Sequence, residues 1–261
     1  MPDKTLRQKE PPPKALEKAA AVLLALAVWQ LGAALLGNQL LLVSPLAVLR
    51  RLLTLLLEPD FYGAIWFSFA RIVTGFFLAL GAGTALAVVS GRFHWADVLL
   101  WPYVAIIKTT PVASFIILCL IWLDSGSLPI FISFLMVLPI VYTNMLQGIR
   151  SADPKLLEMA RLFRVSWMRR LSCIDLPQLK PYLRSACSVS LGLSWKAGIA
   201  AEVIGIPDGS IGERLYQAKV YLSTGDLFAW TVVVIAVSLL FEKLFLFVFD
   251  AGYGRLERIA R

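Results

Sequence analysis

From Ala19 to Leu49 the chain carries no charged residue, and an apolar run of that length has few ways to fold. About 20 such residues form a helix long enough to cross the hydrocarbon core of a bilayer, and a helix satisfies its backbone hydrogen bonds within itself. Comparable runs recur along the 261 residues. The chain is 59% hydrophobic and only 16% charged, with a mean hydropathy of +0.75, whereas a soluble domain carries about 25% charge. These values exclude a soluble enzyme, and the length divides into about six crossings with their loops. The sequence therefore predicts an all-α polytopic membrane protein.

Little in the residue inventory offers chemistry. Cys119, Cys173 and Cys187 have neither the number nor the spacing of a disulfide framework or a zinc site. His94 is the sole histidine and cannot build a His-rich metal site. No G-x-x-x-x-G-K-[ST] occurs, so the chain has no nucleotide-binding loop of that kind. Neither a catalytic group nor a cofactor of its own is expected.

The crossings follow from the apolar runs. Residues 1–18 are polar, hold a triple proline and read as a tail without a signal-peptide cleavage site. The first crossing runs from Ala19 to about Leu42, closed by Ser44-Pro45. Between Ser44 and Asp60, leucines recur beside Arg50, Arg51 and Glu58, a pattern for an amphipathic helix at the interface. The second crossing, Phe61 to Ser90, contains Arg71 and the small cluster Gly81 to Thr84. A third, Val98 to Leu123, contains Lys108 and is kinked or broken at Pro111. Leu128 to Gly148, Ser185 to Ile206 and Leu227 to Phe249 complete six. The permease-like body thus spans 19–249, with a cytoplasmic loop at 150–184 and a basic tail at 250–261.

The net charge of +8 raises nucleic acid as a partner, but its placement points elsewhere. With the N-terminus inside, 18 of the 25 Lys and Arg fall on the cytoplasmic side and 4 outside. That asymmetry orients a membrane protein, with both termini cytoplasmic, and leaves no call for nucleic acid.

The 150–184 loop is long and basic yet patterned as helix. Asp153-Pro154 is a start signal, an aspartate N-cap with proline at the first helical position. Leu156, Leu157, Ala160 and Phe163 then recur three and four apart and make one face apolar. Ser166 can cap a second short helix, and Pro177 and Pro181 are expected to end it. Such a stripe needs a burial partner, either the bundle above it or another protein.

The stretch EMARLFRVSWMRRLSCIDLP resembles the cytoplasmic signature of ABC-importer permeases, a Glu-Ala-Ala triplet, a glycine four residues later and a closing Ile-x-Leu-Pro. Here the triplet is Glu158-Met159-Ala160 and the ending is Ile174-Asp175-Leu176-Pro177, at the family spacing. Met159 replaces the first alanine and Arg164 occupies the glycine position, where a left-handed turn would cost an arginine about 1 kcal/mol. The stretches NMLQGIRSADPKLLEMARLF, LGLSWKAGIAAEVIG and IGERLYQA resemble the nitrate/sulfonate/taurine/bicarbonate branch, from about Ser44 onward.

The resemblance implies a type I permease of six transmembrane helices in a bacterial plasma or inner membrane. It implies a homodimer with a second permease copy, two partner ATPase subunits that hold ATP and Mg, an external substrate-binding protein, and surrounding lipid. The helix at Glu158 to Phe163 would be the coupling helix. Leu157, Ala160, Leu162 and Phe163 would be its apolar knobs, and Glu158 and Arg161 its polar pairs.

Charges inside a membrane cost about 2.5–3.5 kcal/mol at a helix centre on insertion scales, so Arg71, Lys196 and Glu202 are candidates for the solute pathway, with Trp195, beside Lys196, as a candidate gate residue. Arg71 also reads as an interhelical tie and Lys108 as an interfacial anchor. Lys196 and Glu202 are six apart, on largely opposite sides of a helix, so one can face the pathway while the other braces the fold. A cationic Lys196 suits an anionic solute such as a sulfonate, taurine, nitrate or bicarbonate. A heterocyclic vitamin precursor is an alternative solute, and a stand-alone carrier or channel is the alternative class; an exporter-like protein or a regulator without a binding protein is a third reading.

Overall fold

The computed structural model describes residues 15–38 and 40–259, and residues 1–14, most of the expected tail, lie outside them. No strand occurs among the described residues, which form eleven α-helices and one π-turn. Helix α1 covers Ala15–Leu36, α2 Pro45–Leu55, α3 Phe61–Arg92, α4 His94–Thr109 and α5 Val112–Cys119. Then follow α6 Leu128–Arg150, α7 Pro154–Leu162, α8 Trp167–Arg170, α9 Leu176–Gly205, α10 Ile211–Val220 and α11 Thr224–Ile259.

Local signals explain most boundaries. Ser44 caps α2 by accepting from the N–H of Ala47 at 3.3 Å, with Pro45 in the first turn. The first crossing stops six residues earlier than the sequence suggests, at Leu36, because Gly37 adopts φ 58° and its N–H donates to Ala33 O. A left-handed glycine there ends a helix that the apolar run alone would continue.

Among the described residues, four helices are long and apolar enough to cross a membrane: Ala19–Leu36, Phe61–Arg92, Leu128–Arg150 and Thr224–Arg255. Helices α4 and α5 meet at a 103° bend beside Pro111 and are long and apolar enough for a span only when taken together. Helix α9 is 30 residues long, but Lys196, Glu202 and four serines make it the most polar crossing. It can be so because it is enclosed: Ser190, Ser194, Trp195 and Glu202 are buried.

Close contacts fix the direction of each traverse. A Cβ on Gly75, Gly83 or Gly91 of α3 would meet Ile130 O at 2.3 Å, Val141 Cβ at 3.0 Å or Ile149 Cγ2 at 2.7 Å on α6. The two helices therefore run parallel along a seam of glycines, which lets backbones approach closely. Residues 93–127 must accordingly return the chain to the α6 start, so the bent pair completes one traverse. Helix α9 runs antiparallel to α6, with Gly148 against Tyr182 and Gly205 against Leu128. Trp230 packs against Phe61 and Phe245 against Phe76, each with ring centroids 5.3 Å apart, so α11 is parallel to α3. Helix α1 runs opposite to α11, with Trp29 near Phe228 and Leu40 O accepting from Thr224 Oγ1. Six alternating traverses result, and Ala15 and Ile259 lie at the end of the bundle that carries α7 and α8.

The segment 150–184 is not a loop throughout, and Pro177 and Pro181 do not end the helix. A π-turn over Leu171–Asp175 joins α8 to α9 without a break. Pro177 sits in the first turn of α9, where a missing N–H costs nothing, and Pro181, one turn further on and itself exposed, leaves only Pro177 O without its helical donor. The last crossing is also longer than expected, and the segment 250–259 continues α11 as helix.

Candidate functional site

The end of the bundle that carries α7 presents a helical hairpin with two distinct faces. Asp153 caps α7 through Oδ1, which accepts from the N–H of Lys155 at 2.9 Å. Its own N–H donates to Gln178 Oε1 on α9 at 3.1 Å, which ties the start of the hairpin to the bundle. The far end closes with two hydrogen bonds: Val165 N–H to Ala160 O at 2.9 Å and Arg164 N–H to Arg161 O at 3.1 Å. This pairing is a Schellman motif with residue 164 at the left-handed position, and Arg164 has φ 49°. The glycine-type turn is thus kept with an arginine in it, at a strain of about 1 kcal/mol.

The inward face differs from the sequence reading. Ala160 is only 3% exposed and Leu157 is half-buried, lining a cavity of about 490 Å3 with Ile149, Trp167 and Leu179. These two residues anchor α7 to the bundle and are not outward knobs. Ile174, Leu176 and Pro177 are likewise half-buried, within the helix that leads into α9. The outward face holds Leu162 at 82% and Phe163 at 77% exposure, with Met159 beside them. Glu158, Arg161 and Arg164 rim it as exposed charges. Two members were missed: Trp167 and Met168, each 69% exposed. Their signal was the Ser166 cap followed by large apolar residues, read as a helix but not as a surface. Ser166 occupies the cap position without making the side-chain hydrogen bond.

At the opposite end, Glu202 is fully buried. Its Oε2 accepts from Ser68 Oγ of α3 at 2.7 Å and from the N–H of Gly212 in the first turn of α10 at 3.1 Å. Ser68 Oγ accepts in turn from the N–H of Ile211 at 3.0 Å. The carboxylate therefore occupies the positive end of α10, where the free N–H groups of a helix start need acceptors. A Cβ on Gly212 would lie 2.2 Å from Glu202 Cβ, so only glycine lets α10 approach this closely.

The four pathway candidates do not come together. Glu202 braces α3, α9 and α10. Trp195 is buried in the core beside Phe69, with ring centroids 6.2 Å apart. Arg71 donates to Gly126 O at 2.7 Å and lies over the Phe67 ring, so it links α3 to the turn that leads into α6. Lys196 alone is exposed. No group of three or more potential metal-ligating side chains exists among the described residues.

Comparison with known proteins places this architecture. The family described as "Binding-protein-dependent transport system inner membrane component" matches residues 75–259. The chain is 27% identical to the putative aliphatic sulfonates transport permease protein SsuC of Bacillus subtilis, over 84% of this chain and 79% of that protein. It is 27% identical to the nitrate import permease protein NrtB of Synechococcus elongatus, over 77% and 75% of the two chains. The bicarbonate transport system permease protein CmpB of the same organism is 25% identical over 67% and 64%. Seam, hairpin and buried latch all fall wholly or largely within the matched residues, and the chain belongs to the family of inner-membrane permease components of binding-protein-dependent transport systems.

Proposed function

We propose that this chain forms the translocation path of an ABC importer for a small anionic solute, as a homodimer driven by two partner ATPase subunits that bind ATP and Mg. The end bearing α7 and both termini faces the cytoplasm, in line with the 18-to-4 distribution of basic residues. The external binding protein then approaches the α10 end. The permeases for sulfonates, nitrate and bicarbonate among the relatives favour an anion over a vitamin precursor.

One observation carries the reading: the hairpin that exposes Leu162, Phe163 and Trp167 is continuous with α9. A contiguous exposed apolar patch marks a contact surface. Helix α9 is about 45 Å long at 1.5 Å per residue and is held at one end by Asp153–Gln178 and at the other by Glu202. Movement of an ATPase gripping the hairpin is thereby delivered to α9 and to α10 as a rigid element with two ends. Leu162, Phe163, Met159, Trp167 and Met168 are the gripping residues, with Glu158, Arg161 and Arg164 in polar pairs at the rim.

Co-reconstitution tests the function as a whole. Proteoliposomes holding permease and ATPase, supplied with binding protein outside and ATP inside, are expected to accumulate a small organic or inorganic anion. Ion-driven accumulation by the permease alone, without ATPase, would establish a carrier instead.

A further inference from the structure

A cavity of about 490 Å3 opens between α4 and α6, at the end of the bundle that carries α7. Two facing helical stripes line it. Asp97, Trp101, Val104 and Lys108 recur at intervals of four, three and four on α4, opposite Thr143, Gln147 and Arg150 on α6. Positions so spaced share one side of a helix.

The charges within this cavity do not cancel. Arg150 Nη2 lies 2.7 Å from Asp97 Oδ2, and the Tyr142 hydroxyl donates to Asp97 Oδ1 at 2.9 Å, so both oxygens of the single carboxylate are engaged. Lys108 has no acidic partner among the described residues; its Nζ donates to Thr143 Oγ1 at 3.4 Å. Thr143 gives its own proton to Pro139 O at 2.7 Å and so can only accept from the ammonium, which it orients. Two N–H donors of Lys108 remain for the cavity. The side-chain amide of Gln147, one turn from Thr143, has no hydrogen-bond partner among the described residues.

Thr143 precedes the end of α6 by two turns, about 10 Å along the axis. A cation held at that depth is expensive unless it faces a cavity or a ligand. Trp101, Val104 and Leu146 supply an apolar wall beside it. A concave site of this volume, mostly apolar with a few convergent donors, is the usual form of a small-molecule pocket.

We infer that this cavity binds an organic anion with a short apolar body, whose acidic group is held by Lys108 and Gln147. The inference rests on the importer reading, since the occupant is then the transported solute on the cytoplasmic side of its path. The headgroup of an anionic phospholipid shares the same chemistry, and the test separates the two sources.

Permease in phosphatidylcholine nanodiscs is titrated with butane-1-sulfonate by calorimetry. Lys108→Gln should weaken binding by about tenfold or more, the loss of one charge-assisted contact. Lys108→Arg should retain it, and Lys219→Gln, on α10 at the other end, should leave it unchanged. Nitrate, lacking an apolar body, should bind more weakly than the sulfonate. Replacing part of the phosphatidylcholine by phosphatidylglycerol should not compete; competition would assign the site to lipid and overturn the proposal. Equal binding by wild type and Lys108→Gln, or nitrate binding as tightly as sulfonate, would also overturn it. Failure of the importer reading has a different signature, intact sulfonate binding without ATP-driven uptake.

Discussion

Single residues in this chain carry strain and buried polarity at identifiable places. Arg164 holds a left-handed backbone at the turn of the hairpin, so Arg164→Gly should stabilise the protein by up to about 1 kcal/mol. The shift is readable as a higher midpoint of denaturant unfolding in detergent. A β-branched residue there, Arg164→Val, should lower the midpoint. Glu202 serves two donors at once, Ser68 Oγ and the N–H of Gly212. Glu202→Leu leaves both without an acceptor in a dry site and should cost about 2–3 kcal/mol, whereas Glu202→Gln keeps an acceptor and should cost clearly less. If the two variants unfold alike, the latch is not a hydrogen-bonded one. Much of this scale was hidden in the sequence. The Glu-Met-Ala triplet and the arginine at the glycine position are visible as letters. That Glu202 meets the start of α10 depends on a long-range contact that no local pattern encodes.

At the scale of elements, the helices are positioned by close approach more than by side-chain size. Gly75 of α3 sits against the backbone of α6, where a Cβ would come within 2.3 Å of Ile130 O. Gly75→Ala should therefore destabilise the α3–α6 pair by about 1–3 kcal/mol, as overpacking does. Gly63→Ala on the same helix meets nothing within 4 Å and should be near neutral. Comparable effects of the two substitutions on thermal stability would contradict the parallel seam. Element existence and order were legible: the runs of α1, α3, α6 and α11, the Ser44 and Asp153 caps, and the break at Pro111 all follow from local chemistry. Two boundaries and one buried face were not. Gly37 ends α1 early by turning left-handed, and the π-turn carries α8 into α9 past two prolines. Ala160 faces inward because the bundle, not the helix itself, decides which part of the apolar stripe is covered.

For the whole molecule, the contacts along the bundle put α7, α8 and both chain ends on one side and α10 on the other. In the proposed orientation, which the charge distribution favours, the first side is the cytoplasmic one. In a variant with Cys119, Cys173 and Cys187 replaced by serine, a membrane-impermeant maleimide should label Tyr221→Cys in spheroplasts. Phe163→Cys should react only in inverted vesicles, and the reverse result would invert the topology. The six alternating traverses could be inferred from apolar runs because bilayer thickness imposes a length on each. The division of the exposed apolar surface into lipid-facing and partner-facing parts has no such signature. The hairpin stands out because it lies beyond the apolar spans and still exposes Leu162, Phe163, Trp167 and Met168.

The central claim is that this surface holds the ATPase, and the affinity of the ATPase for permease in nanodiscs measures it directly. Two exposed anchors worth about 2 kcal/mol or more each would make them hot spots. The double variant Leu162→Glu/Phe163→Glu should therefore bind the ATPase at least about a hundredfold more weakly, with Tyr221→Glu at the opposite end binding as wild type. An unchanged affinity for the double variant would contradict the account.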